Sequence, residues 1–289
     1  MESQENQYRW PKAEAVYPDR PGRSYALKRL RYRLRAFLHR GLIAQFEQFI
    51  NQHPFLVKLL NEHADYSYPL VHRFLDKRFN GKQRFQAICE NLLFLPEKLT
   101  ALSAPIYKTP LSFGEVIPDF EMTLSMTTHQ PMEGYWVLEL WHKPRNELVY
   151  LLTFAKLGEA LLISVVQGPN FGDSKEMVKQ LTKTCHGLRP AYLMVETMKA
   201  LTKALGFKTL LGIPQKYQNK SRFIQSSHYV VDYDAIFAES GGQLKDYWEL
   251  SLEIDRNLDD VPSKKRSMYR KRYAMLDDLA KVIEETLGL

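Results

Sequence analysis

Two short stretches hold the residue types best suited to chemistry. His186-Gly187-Leu188-Arg189-Pro190 stands before an amphipathic segment, and Gln167-Gly168-Pro169 closes an apolar one. A helix N-terminus carries unpaired N–H groups and a partial positive charge, and a glycine there lets the backbone approach an anion closely, so the first turn suits a phosphate. The Arg189 guanidinium can hold a phosphate through two parallel hydrogen bonds, or it stacks on the loop or pairs with a carboxylate. His186, with an ordinary pKa of about 6.5, suits a general base, or it orders the loop by hydrogen bonding. Cys185 beside it reads as a buried structural thiol, because catalytic partners are brought together by folding, not by adjacency. Pro190 removes one donor from the helix start.

The elements that must position these residues follow from periodicity. Tyr135–His142 and Glu147–Lys156 alternate around Lys143-Pro144-Arg145-Asn146 and predict a hairpin, with Ala160–Val166 as a buried third strand. Trp136, Leu138 and Leu140 share one face of the first hairpin strand, and Tyr135, Val137, Glu139 and Trp141 share the other. A basic helix with Lys175, Lys179 and Lys183 comes next, followed by the turn at 186–190, a helix to about residue 205 and a short strand at Thr209–Ile213. Glu121–Thr127 alternates weakly, and Asp246–Glu253 predicts a last strand after a turn at Gly241-Gly242. The tail 263–287 reads as a helix, basic at first and amphipathic after.

The first hundred residues are mainly helical. Leu27, Leu30, Leu34, Phe37 and Leu38 recur at helical spacing among arginines, and Ile43, Phe46, Phe49 and Ile50 continue the pattern. Helices are also predicted at Phe55–Glu62, Val71–Arg78 and from Lys82 to Phe94, the last stopping near Pro96. A division near residue 105 gives a helical, basic region 1–104 and an α+β region 105–289, with the helices packed on a mixed sheet.

At 289 residues with 45% apolar composition, the chain can bury a real core. Two cysteines are too few for a disulfide framework, which points to a reducing compartment. His53, His63 and His72 are too irregularly spaced for a metal site, and no metal is expected. The polar start Met1–Asn6 lacks an apolar signal segment, and the longest apolar runs fall far short of the ~20 residues that cross a bilayer. A cytoplasmic protein, at most peripheral to the inner membrane, is expected. The net charge of +7 is concentrated: Arg20–Arg40 contains no carboxylate, and Lys264-Lys265-Arg266 and Arg270-Lys271-Arg272 form a second cluster. Such surfaces favour acidic partners, among them an acidic acyl carrier protein or an anionic envelope component, with nucleic acid ranked below these.

Several motifs in a shared order resemble the VirK/YbjX family of Gram-negative bacteria. They are Glu133-Gly134, Val166-Gln167-Gly168, Leu181-Thr182-Lys183 with His186-Gly187-Leu188-Arg189-Pro190, Tyr233-Asp234, Glu239-Ser240-Gly241-Gly242, and the run from Pro262 to Tyr273. The resemblance implies an intracellular protein linked to virulence and to envelope resistance against cationic antimicrobial peptides. A more distant resemblance in fold is to the GNAT-type acyltransferases, carried by the hairpin, the strand 160–166, the helix at 190–205 and the strand 209–213.

The acyltransferase resemblance implies a donor site for acyl-CoA or acyl-phosphopantetheine in which Gln167 and Gly168 end a splayed strand. Gly187, Leu188 and Arg189, with Lys183 nearby, would face the phosphates. His186, Glu139 or Glu133 would serve as base, and Tyr217, Tyr229 or Tyr233 as proton donor. The chain departs from that family by inserting residues 169–189 in place of a short glycine-rich loop. Strands that separate beyond Val166 and Ile213 would leave a slot for the donor, whereas strands plugged by side chains would favour the alternative: a non-catalytic basic protein that holds anionic lipid, RNA or an acidic regulatory partner.

Overall fold

The computed structural model describes residues 7–127, 130–169, 172, 174–219, 232–259 and 261–288. Its helical layer comes first. α1 is Ala13–Val16, α2 Ala26–Leu38, α3 Arg40–Asn51, α4 Pro54–Glu62, α5 Tyr68–Val71 and α6 Gly81–Lys98. Pro54 occupies the first turn of α4, where its missing N–H is harmless. Asn80 and Gln83 form a reciprocal capping box at the start of α6. Pro96 lies inside α6 rather than ending it, and the helix runs one short step further, to Lys98.

The helix expected over Val71–Arg78 is absent beyond Val71. Leu75 has φ +53° and donates its N–H to Met132 O, while Phe74 and Leu75 are buried. A left-handed non-glycine residue cannot continue an α-helix. The spacing of Val71, Phe74 and Leu75 imitates a helical stripe, but those side chains enter the core from an irregular segment.

The second layer is an eight-stranded mixed sheet. β1 is Leu111–Ile117, β2 Phe120–Met126, β3 Trp136–His142, β4 Glu147–Leu157, β5 Ala160–Gln167, β6 Leu210–Gly212, β7 Gly242–Leu244 and β8 Trp248–Leu250. The spatial order is β1-β2-β3-β4-β5-β6-β8-β7. Neighbours are antiparallel except β5 and β6, which run parallel. α7 (Ser174–Thr184) and α8 (Pro190–Ala204) make the crossover between that parallel pair, as parallel strands require. α9 (Tyr233–Glu239) follows β6, and α10 (Ser263–Leu287) closes the chain.

The α+β class read from sequence therefore holds, with a helical N-terminal region preceding a mixed sheet. The final strand is shorter than expected, and Gly242 opens β7 instead of belonging to a turn; the reversal lies where Lys245 N–H meets Tyr247 O.

Helices α6 and α8 pack on the middle of the sheet. Asn91 of α6, fully buried, ties helix to strand: its amide donates to Lys156 O and accepts from Lys156 N–H, and its carbonyl receives Trp136 Nε1. These bonds satisfy polar groups that would otherwise be buried unpaired. One continuous apolar core runs from Tyr8 to Leu287 and crosses residue 105 without a break.

Candidate functional site

The sheet divides along its parallel seam. Leu161 N–H donates to Thr209 O and Ile213 N–H to Ile163 O, and the two strands are in register from Leu161 to Ile163. Past that point β5 continues to Gln167, whereas the other chain leaves at Pro214 into a 3-10 turn at Gln215–Tyr217. Proline has no N–H to continue the ladder. On the other side of β5 the register with β4 shifts between Thr153 and Phe154, so Ser164 is an extra, bulged residue. A bulge bends and twists its strand and re-aims a side chain.

Buried polar groups collect at this division. The Ser164 hydroxyl donates to Glu133 O, with Thr153 O also within bonding distance. Ser164 O accepts from Gln218 Nε2 at 3.2 Å, and Val166 O accepts from Tyr233 Oη at 3.0 Å. Two carbonyls released from the ladder are thus met by side chains of the departing segment. Gln167 Nε2 lies 3.4 Å from the Glu133 carboxylate. Asn219 donates to Met132 O, and its own Oδ1 is buried with no partner among the described residues. Glu133, Ser164, Gln218 and Asn219 are each under 8% exposed. A crevice at the carboxyl ends of parallel strands, where the chain departs in different directions, is the usual ligand position in open α/β sheets.

Segment 217–219 is held in place from the helical layer. Asp76 bridges Gln218, and Lys77 N–H donates to Tyr217 O. The Asp76 carboxylate is buried and receives Arg78 through its backbone N–H and its guanidinium, together with Tyr247 Oη. Arg78 also stacks over the Tyr217 ring at 3.7 Å and pairs with Asp246. Hydrogen bonds donated to the Asp76 carboxylate raise the Arg78 guanidinium further above its already high range, against the opposing effect of partial burial.

The sequence-predicted residues fall into two groups. Glu133 and Gln167 are brought together at the division. Glu139 lies along β3 between Thr123 and Leu151, 8% exposed, and accepts Trp141 Nε1 at 3.2 Å. Both carboxylates are thus buried, where strand carboxylates are ordinarily solvated. Gly168 packs on Tyr150; a Cβ there would stand 3.1 Å from the ring.

Lys183, His186, Gly187, Leu188 and Arg189 form the second group, at the α7–α8 turn. His186 and Gly187 have φ +52° and +77°. Gly187 N–H donates to Thr182 O and Leu188 N–H to Cys185 O, so both amides close the end of α7. They are therefore engaged within the chain instead of facing a phosphate. Tyr192 and Leu193 amides return to Arg189 O. The Lys183 and Arg189 side chains are exposed at this turn, the latter 6.0 Å over Tyr192. From the other side, Arg272 of α10 donates twice to His186 O, and Arg272 and Met268 lie against Gly187. Burial pushes the Cys185 thiol up to about 12, as befits an inert structural thiol.

Sequence reasoning missed Ser164, Gln218, Asn219 and the Asp76–Arg78 pair. Tyr233 was among three candidate tyrosines and is the one at the division; Tyr217 is covered by Arg78, and Tyr229 lies outside the described residues. Among the described residues no group of three or more His, Cys, Asp or Glu is placed to hold a metal ion, and no helix is long and apolar enough to cross a membrane.

The family described as "Protein of unknown function (DUF535)" matches residues 21–285, which include every strand and nearly all the helices. The chain belongs to the DUF535 family. It is 80% identical over 282 residues to an uncharacterized protein of Haemophilus influenzae, covering 98% of this chain and 97% of that one. It is 65% identical over 216 residues to a Mannheimia haemolytica protein called "Membrane protein LapB", covering 75% and 96%. It is 23% identical over 279 residues to YbjX of Escherichia coli, covering 89% and 83%. The VirK/YbjX resemblance drawn from the motifs is thereby shown. No solved structure matches the chain.

Proposed function

We propose that this DUF535 protein transfers an acyl group from a pantetheine thioester, acyl-CoA or an acyl carrier protein, to an amine or hydroxyl at the division between β5 and β6. The observation that carries this reading is the parallel pair itself: β5 and β6, joined through α8, separate after three paired residues, and buried polar groups collect where they part. Strands that part in this way support the acyltransferase reading, which rests on the order of strands and helices alone, since no solved structure matches.

In this scheme the end of β5 at Gln167-Gly168 borders the pantetheine arm. Lys183 and Arg189 meet the phosphates, and the Glu133 carboxylate takes the proton as the acceptor forms its new bond to the acyl carbon. The carbon–sulfur bond breaks, and the leaving thiolate takes up a proton from Tyr233, whose hydroxyl donates to Val166 O at the end of β5. Glu133 is preferred to His186 as base because its carboxylate faces Gln167 at the division, whereas His186 stands in a turn tied to α10. The name carried by the Mannheimia haemolytica relative adds weight to an acceptor at the envelope, with the protein cytoplasmic and peripheral to the inner membrane. An envelope acceptor is also the chemistry by which resistance to cationic peptides would arise.

A second reading, a non-catalytic protein that binds an anionic partner, is favoured by the Gln218 and Tyr233 side chains that bridge the division. Thermal-shift titration with coenzyme A, acyl-CoA and acyl-loaded carrier protein, with ATP as polyanion control, separates the two, because a ligand that binds only the folded state raises its stability. Selective stabilisation by pantetheine ligands, weakened in Arg189→Ala and retained without turnover in Glu133→Gln, is expected. An equal shift with ATP, or none, refutes the transferase.

A further inference from the structure

Helix α2 presents a large unpartnered apolar face. Leu27, Leu30, Leu34, Phe37 and Leu38 are 59–67% exposed, and among the described residues only Leu244 is another large apolar side chain exposed in this way. At about 100° per residue, these five positions fall within an arc of roughly 100° that runs for about 17 Å along the helix.

The opposite face is fixed to the protein. Tyr32 is buried, donates to Pro11 O, stacks on Trp10 and packs against Tyr17 and Tyr68. The helix therefore cannot roll to hide its leucines.

The flanks of the stripe are cationic. By the same geometry Lys28, Arg31 and Arg35 follow one edge and Arg33 the other, and Arg40 lies beyond the end with its guanidinium 5.3 Å over Phe37. Among the described residues Lys28, Arg31 and Arg40 have no carboxylate partner, while Arg33 pairs with Glu14. An apolar stripe edged by lysine and arginine matches the boundary between the acyl chains and headgroups of an anionic bilayer, with the leucines and Phe37 in the chains and the cations at the phosphates. The same charge would repel a second copy of this basic face, and four leucines with one aromatic, Phe37, whose ring already lies under Arg40, make a poor stacking platform for a nucleic acid.

We infer that α2 is an interfacial helix that docks this protein on an anionic phospholipid surface. The inference stands independently of acyl transfer, because it concerns another element and another ligand.

Co-sedimentation of the full chain tests it, using vesicles of phosphatidylglycerol with phosphatidylethanolamine and, separately, of phosphatidylcholine alone. Binding to the anionic vesicles is expected, with weakening as salt rises and little binding to phosphatidylcholine. Leu30→Asp combined with Leu34→Asp should lower partitioning at least about tenfold, with thermal midpoint and circular dichroism unchanged, since both sites are exposed. Phe37→Trp gives a second measure, blue-shifting its emission on anionic vesicles. The proposal is overturned if the wild type stays in the supernatant, if the double variant binds as well as the wild type, or if the Phe37→Trp emission does not move. It is also overturned by a dimer that the double variant abolishes without any vesicle binding, which would assign the face to a second copy.

Discussion

Replacing Asp76 by alanine should weaken the fold by about 3–5 kcal/mol, the usual loss when one partner of a buried pair is removed. The Asp76 carboxylate is 1% exposed and accepts Tyr247 Oη at 2.9 Å, the Arg78 backbone N–H at 2.8 Å, and the guanidinium at 2.6 to 3.1 Å. A bond from a neutral donor to a buried charge contributes roughly 1.5–3 kcal/mol, and the backbone turn about 1. The pair with Arg78 adds only about 1, because the arginine side chain is 32% exposed and keeps Asp246 as a second partner. Asp76→Asn, which retains the shape and an acceptor, should lose about half as much. Urea unfolding followed by circular dichroism measures both variants, with an unchanged slope expected if the denatured state is unaffected. The Asp76 carboxylate also holds the Arg78 guanidinium over Tyr217 beside the sheet division, so Asp76→Ala should weaken any pantetheine binding there beyond what its stability loss explains. A loss below about 1 kcal/mol, or equal losses for Asn and Ala, would refute the view that this carboxylate ties the helical layer to the sheet edge.

Two further outcomes are expected. Gly134→Ala should lower the thermal midpoint, because φ is +137° and the new Cβ would stand 2.8 Å from Phe154 O; the backbone strain alone is about 1–3 kcal/mol. Glu133 adjoins this residue, so the same variant should reduce any acyl transfer. Stability should also fall as the pH drops from about 6.5 toward 4. Burial, with Arg35, Arg73 and Arg84 nearby, pushes His72 down to about 4, so over that interval the unfolded chain binds a proton that the folded chain refuses. Urea titrations at several pH values should show a shallower decline in His72→Gln, and an identical decline would refute the assignment.

Periodicity made most of the architecture legible. The hairpin, the buried strand, the second crossover helix and the C-terminal helix stand within a residue or two of their expected limits, because each shows a clear alternating or helical pattern. β1 escaped notice because Gly114, with φ +74°, and two register shifts interrupt its alternation. The segment after Val71 misled because its apolar spacing was helical while Leu75 turned left-handed.

The candidate site was only half visible. Glu133 and Gln167 belonged to quoted motifs, but Ser164 acts through a bulge, and Gln218 and Asn219 act through a strand departure that no local pattern encodes. The glycine turn suggested free amides, yet Gly187 and Leu188 spend theirs on closing the preceding helix. In α2, periodicity showed that five apolar residues share a face; only the packing of Tyr32 decided that this face points outward.

The strand order has a bearing on how the chain is made. β6 pairs on one side with β5 and on the other with β8, which is synthesised almost forty residues later and inserts between β6 and β7. A chain emerging from the ribosome therefore carries β6 with an open edge until Trp248–Leu250 appear, and the turn at His186 waits longer still for Arg272. An unpaired edge is a template for wrong pairing between nascent chains. Translation that stalls between residues 212 and 248 leaves that edge of β6 unpaired, so slow reading of this stretch should lower the yield of folded protein.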